Sequence, residues 1–258
     1  MSAPVFLADP GLLDGHGSGS TYVLEGAEAR HAGVVQRRAP GERIDVADGS
    51  GTRLRCRVVA VEPGRVVLQV EERVEEPRSA VEIVLVQALA KGDRDELAIE
   101  AATEVGVDAV VPWQANRSIV VWRGERAAKS RAKWLATVRE AAKQARRAYV
   151  PAVGENVDSR GLVALVGAVT SAGGLVLVLH EEAQQAVGSV RLPAPDGEGT
   201  PQVLVVVGPE GGIADEEIAQ LTGAGAVAVR LGPHVLRTST AGPVAVALLA
   251  ERLGRWAV

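Results

Sequence analysis

The stretch that most restricts what this chain can become is Val203 to Ala250, VLVVVGPEGGIADEEIAQLTGAGAVAVRLGPHVLRTSTAGPVAVALLA. An apolar run from Val203 to Val207 meets the turn Gly208, Pro209, Glu210, Gly211, Gly212 and a short helix headed by Asp215, Glu216 and Glu217. A second β-rich run, Ala226 to Leu231, leads into another turn and a closing helix. Strand, special turn and helix thus recur at close range. Ligands of open α/β sheets sit at the carboxyl ends of strands, so the two turns predict one shared pocket.

The residues of the first turn limit what that pocket can hold. GPEGG lacks the third glycine of a GxGxxG dinucleotide motif, and Pro209 removes an N–H that a phosphate cradle would use. Glu210 in the turn, and three acids opening the next helix, suit the helix dipole but repel a pyrophosphate. These features argue against NAD and nucleoside triphosphates. S-adenosylmethionine fits better, because its adenosine can be held by backbone groups and its sulfonium tolerates neighbouring acids. The second turn, LGPHVLRTSTAG, ends in Arg237 and the hydroxyls of Thr238, Ser239 and Thr240. Each hydroxyl could cap the closing helix, and Arg237 could pair with a carboxylate such as Glu210. Capping accounts for one hydroxyl, not for three and an arginine.

The preceding chain falls into two parts. Residues 1–75 carry short β-type runs separated by the turn signals DGSG (Asp48 to Gly51) and Pro63-Gly64, which predicts a small, mostly antiparallel β unit. Arg53, Arg55 and Arg57 alternate along one strand, with Leu54, Cys56 and Val58 on the other face. The arginine face is either a solvated surface or a phosphate contact. A polar linker, Glu71 to Ser79, precedes residues 76–258, where strands (Val81 to Ala88, Val107 to Pro112, Leu175 to His180) alternate with helices (Asp93 to Val105, Ser159 to Val169). That alternation predicts a parallel sheet with helices on its faces. Asp93 and Glu96 have the spacing of a capping box, and Gly106 is a stop signal. His180 at a strand's end suits chemistry or structure equally. Gly188 to Pro201, rich in Pro and Gly, reads as a loop.

Charge separates the chain further. The net charge is −4, yet Arg117 to Arg147 holds ten Lys or Arg against Glu125 and Glu140. Such density points to a polyanion, against the alternative of a solvated basic helix. From about Glu125 the segment reads as a helix, with Trp134, Val138, Ala141 and Ala145 facing the core and Arg139, Lys143 and Arg146 or Arg147 on another stripe. Trp113 and Trp122 can stack on bases, but a tryptophan more often packs. Cys56 is the only cysteine, so no intramolecular disulfide forms, and the start lacks a signal-peptide pattern. No apolar run reaches the roughly 20 residues of a membrane helix. The expected location is intracellular and reducing, that is, cytoplasmic.

GPEGG and LRTSTA, with KGDRDELAIEAATEVGV and EAAKQARRAYVP upstream and HAGVVQRRAPGERIDVADGSG near the start, resemble the RsmE family of 16S ribosomal RNA uridine-N3 methyltransferases, within the SPOUT class. The resemblance spans essentially the whole chain. Where the family commonly reads LRTETA this chain has Ser239, and where a phenylalanine and a hydroxyl residue commonly follow GPEGG it has Ile213 and Ala214. The resemblance implies a trefoil-knotted parallel sheet in residues 76–258, with the knot near 203–250, and a PUA-like β-barrel RNA-binding domain in residues 1–75. It implies a homodimer acting on ribosomal RNA in the assembled small subunit. It also implies S-adenosylmethionine held near Leu179, His180, Gly208, Pro209, Glu210, Gly211, Gly212, Leu231, Gly232, Val235, Leu236, Thr238, Ser239, Thr240 and Ala241; no metal is implied. Arg237 is the candidate for orienting the base or stabilising its anion, and Glu210 the candidate proton acceptor. Arg30, Arg37, Arg38, Arg117, Arg139, Lys143, Arg146 and Arg147 are the expected phosphate contacts. Two alternatives stand beside this reading: a non-catalytic RNA-binding or ribosome-assembly factor, and a transfer-RNA methyltransferase of the same class.

Overall fold

The computed structural model describes residues 3–195 and 199–257, so part of the loop expected from Gly188 to Pro201, residues 196–198, lies outside the described residues. The chain divides into two compact units, Met1–Arg78 with Ala142–Val150, and Ser79–Ala141 with Pro151–Val258.

The first unit contains β1 (Val5–Leu7), β2 (Thr21–Glu25), α1 (Gly26–Arg30), β3 (Arg43–Ala47), β4 (Thr52–Glu62) and β5 (Arg65–Glu75). Its sheet has the order β1-β3-β4-β5-β2, antiparallel except for the β1–β3 pair. Register shifts between β4 and β5, at Arg55/Cys56 and Val58/Ala60, bend this hairpin. Leu54, Cys56 and Val58 enter the core with Phe6, Ile44 and Leu68. The opposing arginines are neutralised across the sheet: Arg55 pairs with Glu72 and Arg57 with Glu71, both at 2.7 Å. Arg53 is buried against Glu76 (2.6 Å), Asp45 and the Arg146 carbonyl. This face therefore pairs with itself instead of presenting open charge to phosphate. Segment 142–150 closes the unit: the Tyr149 hydroxyl donates to the Glu76 carbonyl (2.8 Å), and its ring fills the space a side chain on Gly51 (φ +114°) would need.

The second unit contains β6 (Glu82–Ala88), α2 (Arg94–Glu104), β7 (Ala109–Gln114), α3 (Gly124–Gln144, ending in the first unit), β8 (Ala152–Val153), β9 (Val157–Asp158) and α4 (Ser159–Ser171). It continues with β10 (Leu175–Leu179), β11 (Gln202–Val207), α5 (Asp215–Gly223), β12 (Val227–Val229) and α6 (Thr238–Arg252). All strand pairs are parallel, in the order β12-β10-β11-β6-β7-β8, with β9 also on β7. Alternation along the strands decides which helices each face takes. Val84, Val86, Leu204 and Val206 pack with Leu162 and Val166 of α4 and Leu221 of α5. Leu85 and Gln87 point the other way, where a side chain on Gly242 of α6 would collide with Leu85.

One local expectation fails for an identifiable reason, and the packing expected of the tryptophans is found. Asp93 takes a left-handed backbone (φ +59°) and its side chain caps nothing on α2; Glu96 instead reaches Lys133 (2.6 Å), so the predicted capping box is absent. Trp113 is fully buried and Trp122 packs edge-on against Trp134 (5.3 Å), so both serve as core rather than as platforms for bases.

Candidate functional site

The carboxyl ends of β6, β10, β11 and β12 open onto the two turns singled out from the sequence. In the first, the Gly212 N–H donates to the Pro209 carbonyl (2.9 Å) with Gly212 at φ +73°, which closes a tight turn that a larger residue would strain. A side chain on Gly208 would lie 2.6 Å from Ile213 Cγ1. Glycine lets Ile213 fold back beneath the turn and join the core.

Helix α5 then begins without a capping hydroxyl, because Ala214 has no oxygen on its side chain. Glu217 takes over that work. Its Oε2 accepts from the Ala214 N–H (3.0 Å), while Oε1 accepts from the Asn116 N–H (2.8 Å) and from the Ser159 hydroxyl. One carboxylate, 1% exposed, thereby ties the start of α5 to the segment after β7 and to the first residue of α4.

The second turn is joined to the first through Thr238. Its hydroxyl is not a helix cap: it donates to the Gly208 carbonyl (2.8 Å) and accepts from the Gln87 amide (2.9 Å). Gln87 is fully buried at the end of β6. Residues 231–236 contrast with this clamp, since none of their backbone groups hydrogen-bonds within the described residues. The turn is an open row of donors and acceptors. Arg237 follows it with an exposed guanidinium that has no partner among the described residues; its carbonyl accepts from the N–H groups of Thr240 (2.8 Å) and Ala241 (2.9 Å). The hydroxyls of Ser239 and Thr240 are likewise unbonded among the described residues.

Glu210 does not pair with Arg237. It accepts from the Arg94 guanidinium (2.7 Å) and the Lys91 N–H (3.3 Å). Partial burial pushes its carboxyl up, but its own N–H, Arg94 and Lys91 outweigh that and hold it below the usual range. A carboxylate so stabilised is a weak proton acceptor and a good brace for the turn.

The first turn of α2 contains a buried acid that the sequence does not advertise. Burial pushes Asp95 up to about 6, against the opposing N–H groups of Ala90 and Glu96. An unfolded Asp titrates near 3.9, so the folded chain binds the extra proton between about pH 4 and 6. That contribution to stability is complete below the unfolded value and is lost as pH rises through about 6. Asp95→Asn should flatten this slope and gain up to about 3 kcal/mol at pH 7. Urea denaturation at pH 4.5 and pH 7 checks it, and equal slopes in parent and variant would refute it.

With this geometry in hand, comparison with known proteins places the chain. A family model described as an RNA methyltransferase domain matches residues 77–250. Ribosomal RNA small subunit methyltransferase E of Mycobacterium bovis is 45% identical over 239 residues, 93% of this chain and 89% of that protein. This chain belongs to the ribosomal RNA small subunit methyltransferase E family. The Bacillus subtilis member is 31% identical over 86% of each chain. Among solved structures, the Neisseria gonorrhoeae enzyme bound to S-adenosyl methionine superposes with a TM-score of 0.82 at 28% identity, over 97% of this chain and 98% of that one. A putative methyltransferase from Legionella pneumophila in complex with the cofactor gives 0.80 at 28% identity, over 98% of each.

The residues predicted from the sequence for this family member fall into distinct groups. Gly208 to Gly212 and Leu231 to Leu236 form the two turns, and Thr238 joins them. Leu179 ends β10, and the His180 N–H donates to the Val229 carbonyl (2.9 Å), leaving its ring unbonded among the described residues. Lys143 departs most from expectation. It is 7% exposed, pairs with Glu28 (2.8 Å), meets His31 Nδ1 (3.3 Å) and lies over the Phe6 ring, so it is spent on packing and is not open to phosphate. Arg117 donates to the Gly211 carbonyl (3.1 Å), which puts it on the glycine turn. Arg38 is held by Gln36 and Glu42. Arg139 and Arg147 have partners within the fold, while Arg30, Arg37 and Arg146 are exposed. Sequence reasoning missed Gln87, Arg94 and the work of Glu217. The one available signal was a glutamine closing the otherwise apolar run IVLVQA.

Proposed function

We propose that this protein methylates N3 of a uridine in 16S ribosomal RNA with S-adenosylmethionine as methyl donor. The observation that carries the reading is the pairing of two turns: an open backbone row at 231–236, clamped by Thr238 to a glycine turn and followed by an uncommitted Arg237. The residues fit the cofactor. Backbone donors and acceptors of 231–236 suit an adenosine. When bound, the cofactor supplies an electrophilic methyl group.

Within that pocket the chain's own residues divide the work. N3 carries a proton at neutral pH, so methylation releases it and passes through developing negative charge on the base. Arg237, whose backbone is held by the first turn of α6 beside the Thr238 clamp and whose guanidinium is uncommitted, stabilises that charge. Glu210, already committed to Arg94, braces the glycine turn, and the proton leaves to water. N3 lies on the Watson–Crick edge, so the uridine is read unpaired or flipped out.

The finer family features are part of the same proposal. The path from β11 to the outermost strand β12 and back to α6, which packs on β6 and β11, supports a trefoil knot of the SPOUT class, an arrangement rare among folds. The bent β unit of residues 1–75 supports a PUA-like domain. No helix among the described residues is long and apolar enough to cross a membrane, in keeping with a cytoplasmic enzyme. We further read a homodimer acting on the assembled small subunit. Incubation with labelled S-adenosylmethionine and small subunits, naked 16S RNA or transfer RNA, followed by nucleoside identification, tests the reading. 3-Methyluridine in ribosomal RNA is expected; label confined to transfer RNA, or no transfer to any substrate, overturns it.

A further inference from the structure

The basic segment 117–147 is not uniformly available to a polyanion, and the structure sorts its charges. Lys143 is buried, and Arg131 is spent on the carbonyls of Val153 and Gly154 (2.6 and 3.0 Å). Lys133 is neutralised by Glu96 (2.6 Å) and Asp93 (3.4 Å). Arg123, Arg126 and Lys129 remain, exposed and without a partner among the described residues. Glu125 is the only acid between residues 122 and 133.

These uncommitted charges are positioned by contacts at two points. Upstream, the Trp122 N–H donates to Gln114 at the carboxyl end of β7 (3.2 Å), and Trp122 packs on Trp134. One turn beyond Lys129, Lys133 clasps the loop that starts α2, where Arg94 holds Glu210 of the glycine turn. Residues 126, 129 and 133 share a helix face by their spacing. An exposed cationic stripe therefore runs along the carboxyl edge of the sheet toward the methyl-transfer turns.

The geometry points to Arg126 and Lys129, with Arg123, as the phosphate track that holds the RNA strand on the approach to the target base. This assignment rests on the RNA methyltransferase reading above and moves the main contact from the second half of α3 to its first. Two cations that give up no internal pair on binding contribute counterion release directly.

The test uses the full-length double variant Arg126→Ala, Lys129→Ala, with 16S RNA binding measured over a salt series. Affinity should fall about tenfold near physiological salt and the slope of log affinity on log salt should flatten by about 2. Methyl transfer should lose mainly through KM, with kcat at saturating RNA and S-adenosylmethionine affinity close to parental values. Lys133→Ala, which removes a charge already compensated, should flatten the slope far less. An unchanged slope in the double variant, or an equal effect of Lys133→Ala, overturns the track. Failure of the parent protein itself to bind or methylate RNA would instead refute the underlying function.

Discussion

Glu217→Ala should lower the stability of the protein by about 3–5 kcal/mol, because it strips a shared acceptor from three donors in a closed interior. The N–H groups of Ala214 and Asn116 and the hydroxyl of Ser159 all converge on that carboxylate. The cavity left behind adds to the cost. Denaturant titration would show a lower midpoint at nearly constant slope. Glu216→Ala provides the contrast, since Glu216 is exposed and should change stability by no more than about 0.5 kcal/mol. Equal losses in the two variants would mean that the three segments hold together without Glu217. Glu217→Gln, which keeps one carbonyl oxygen, should fall between them.

Arg237→Ala should reduce turnover by about 10²–10³-fold, the scale on which a group stabilising developing charge contributes. Its affinity for S-adenosylmethionine should stay within about threefold of the parent, since the guanidinium bonds to neither turn in the structure and the Thr238 clamp is untouched. Single-turnover methyl transfer and calorimetric titration of the cofactor separate the two quantities. Equal loss of both would assign Arg237 to the cofactor pocket. Arg237→Lys keeps the charge but not the planar fork and should recover only part of the rate.

The sequence carried a large part of this account. Alternation along Leu54, Cys56 and Val58 and the apolar run Val203 to Val207 identify buried faces because a strand must hide one or both of its sides, and both runs are buried. The turns were visible because glycine and proline punctuate a chain whatever its surroundings. Charge patterning was less secure. Counting Arg and Lys measures supply, whereas availability depends on partners far along the chain, as Lys143 meets Glu28 and Arg53 meets Glu76. The hydroxyl at 238 illustrates the same limit. Local rules read it as a cap, yet the neighbouring carbonyl of Gly208 is the stronger claim once the two turns are brought side by side.

By itself, then, the sequence determined where the strands end, that glycine and proline set the turns after them, and that Arg237 follows the second turn; all are consequences of residue chemistry at close range. Only the tertiary structure decided which charges are spent. Glu210 is committed to Arg94, 116 residues away in the chain. Gln87 and Thr238, 151 residues apart, join the two turns. Short-range periodicity cannot encode such pairings, because they exist only after the parallel sheet has brought the carboxyl ends of β6 and β11 together.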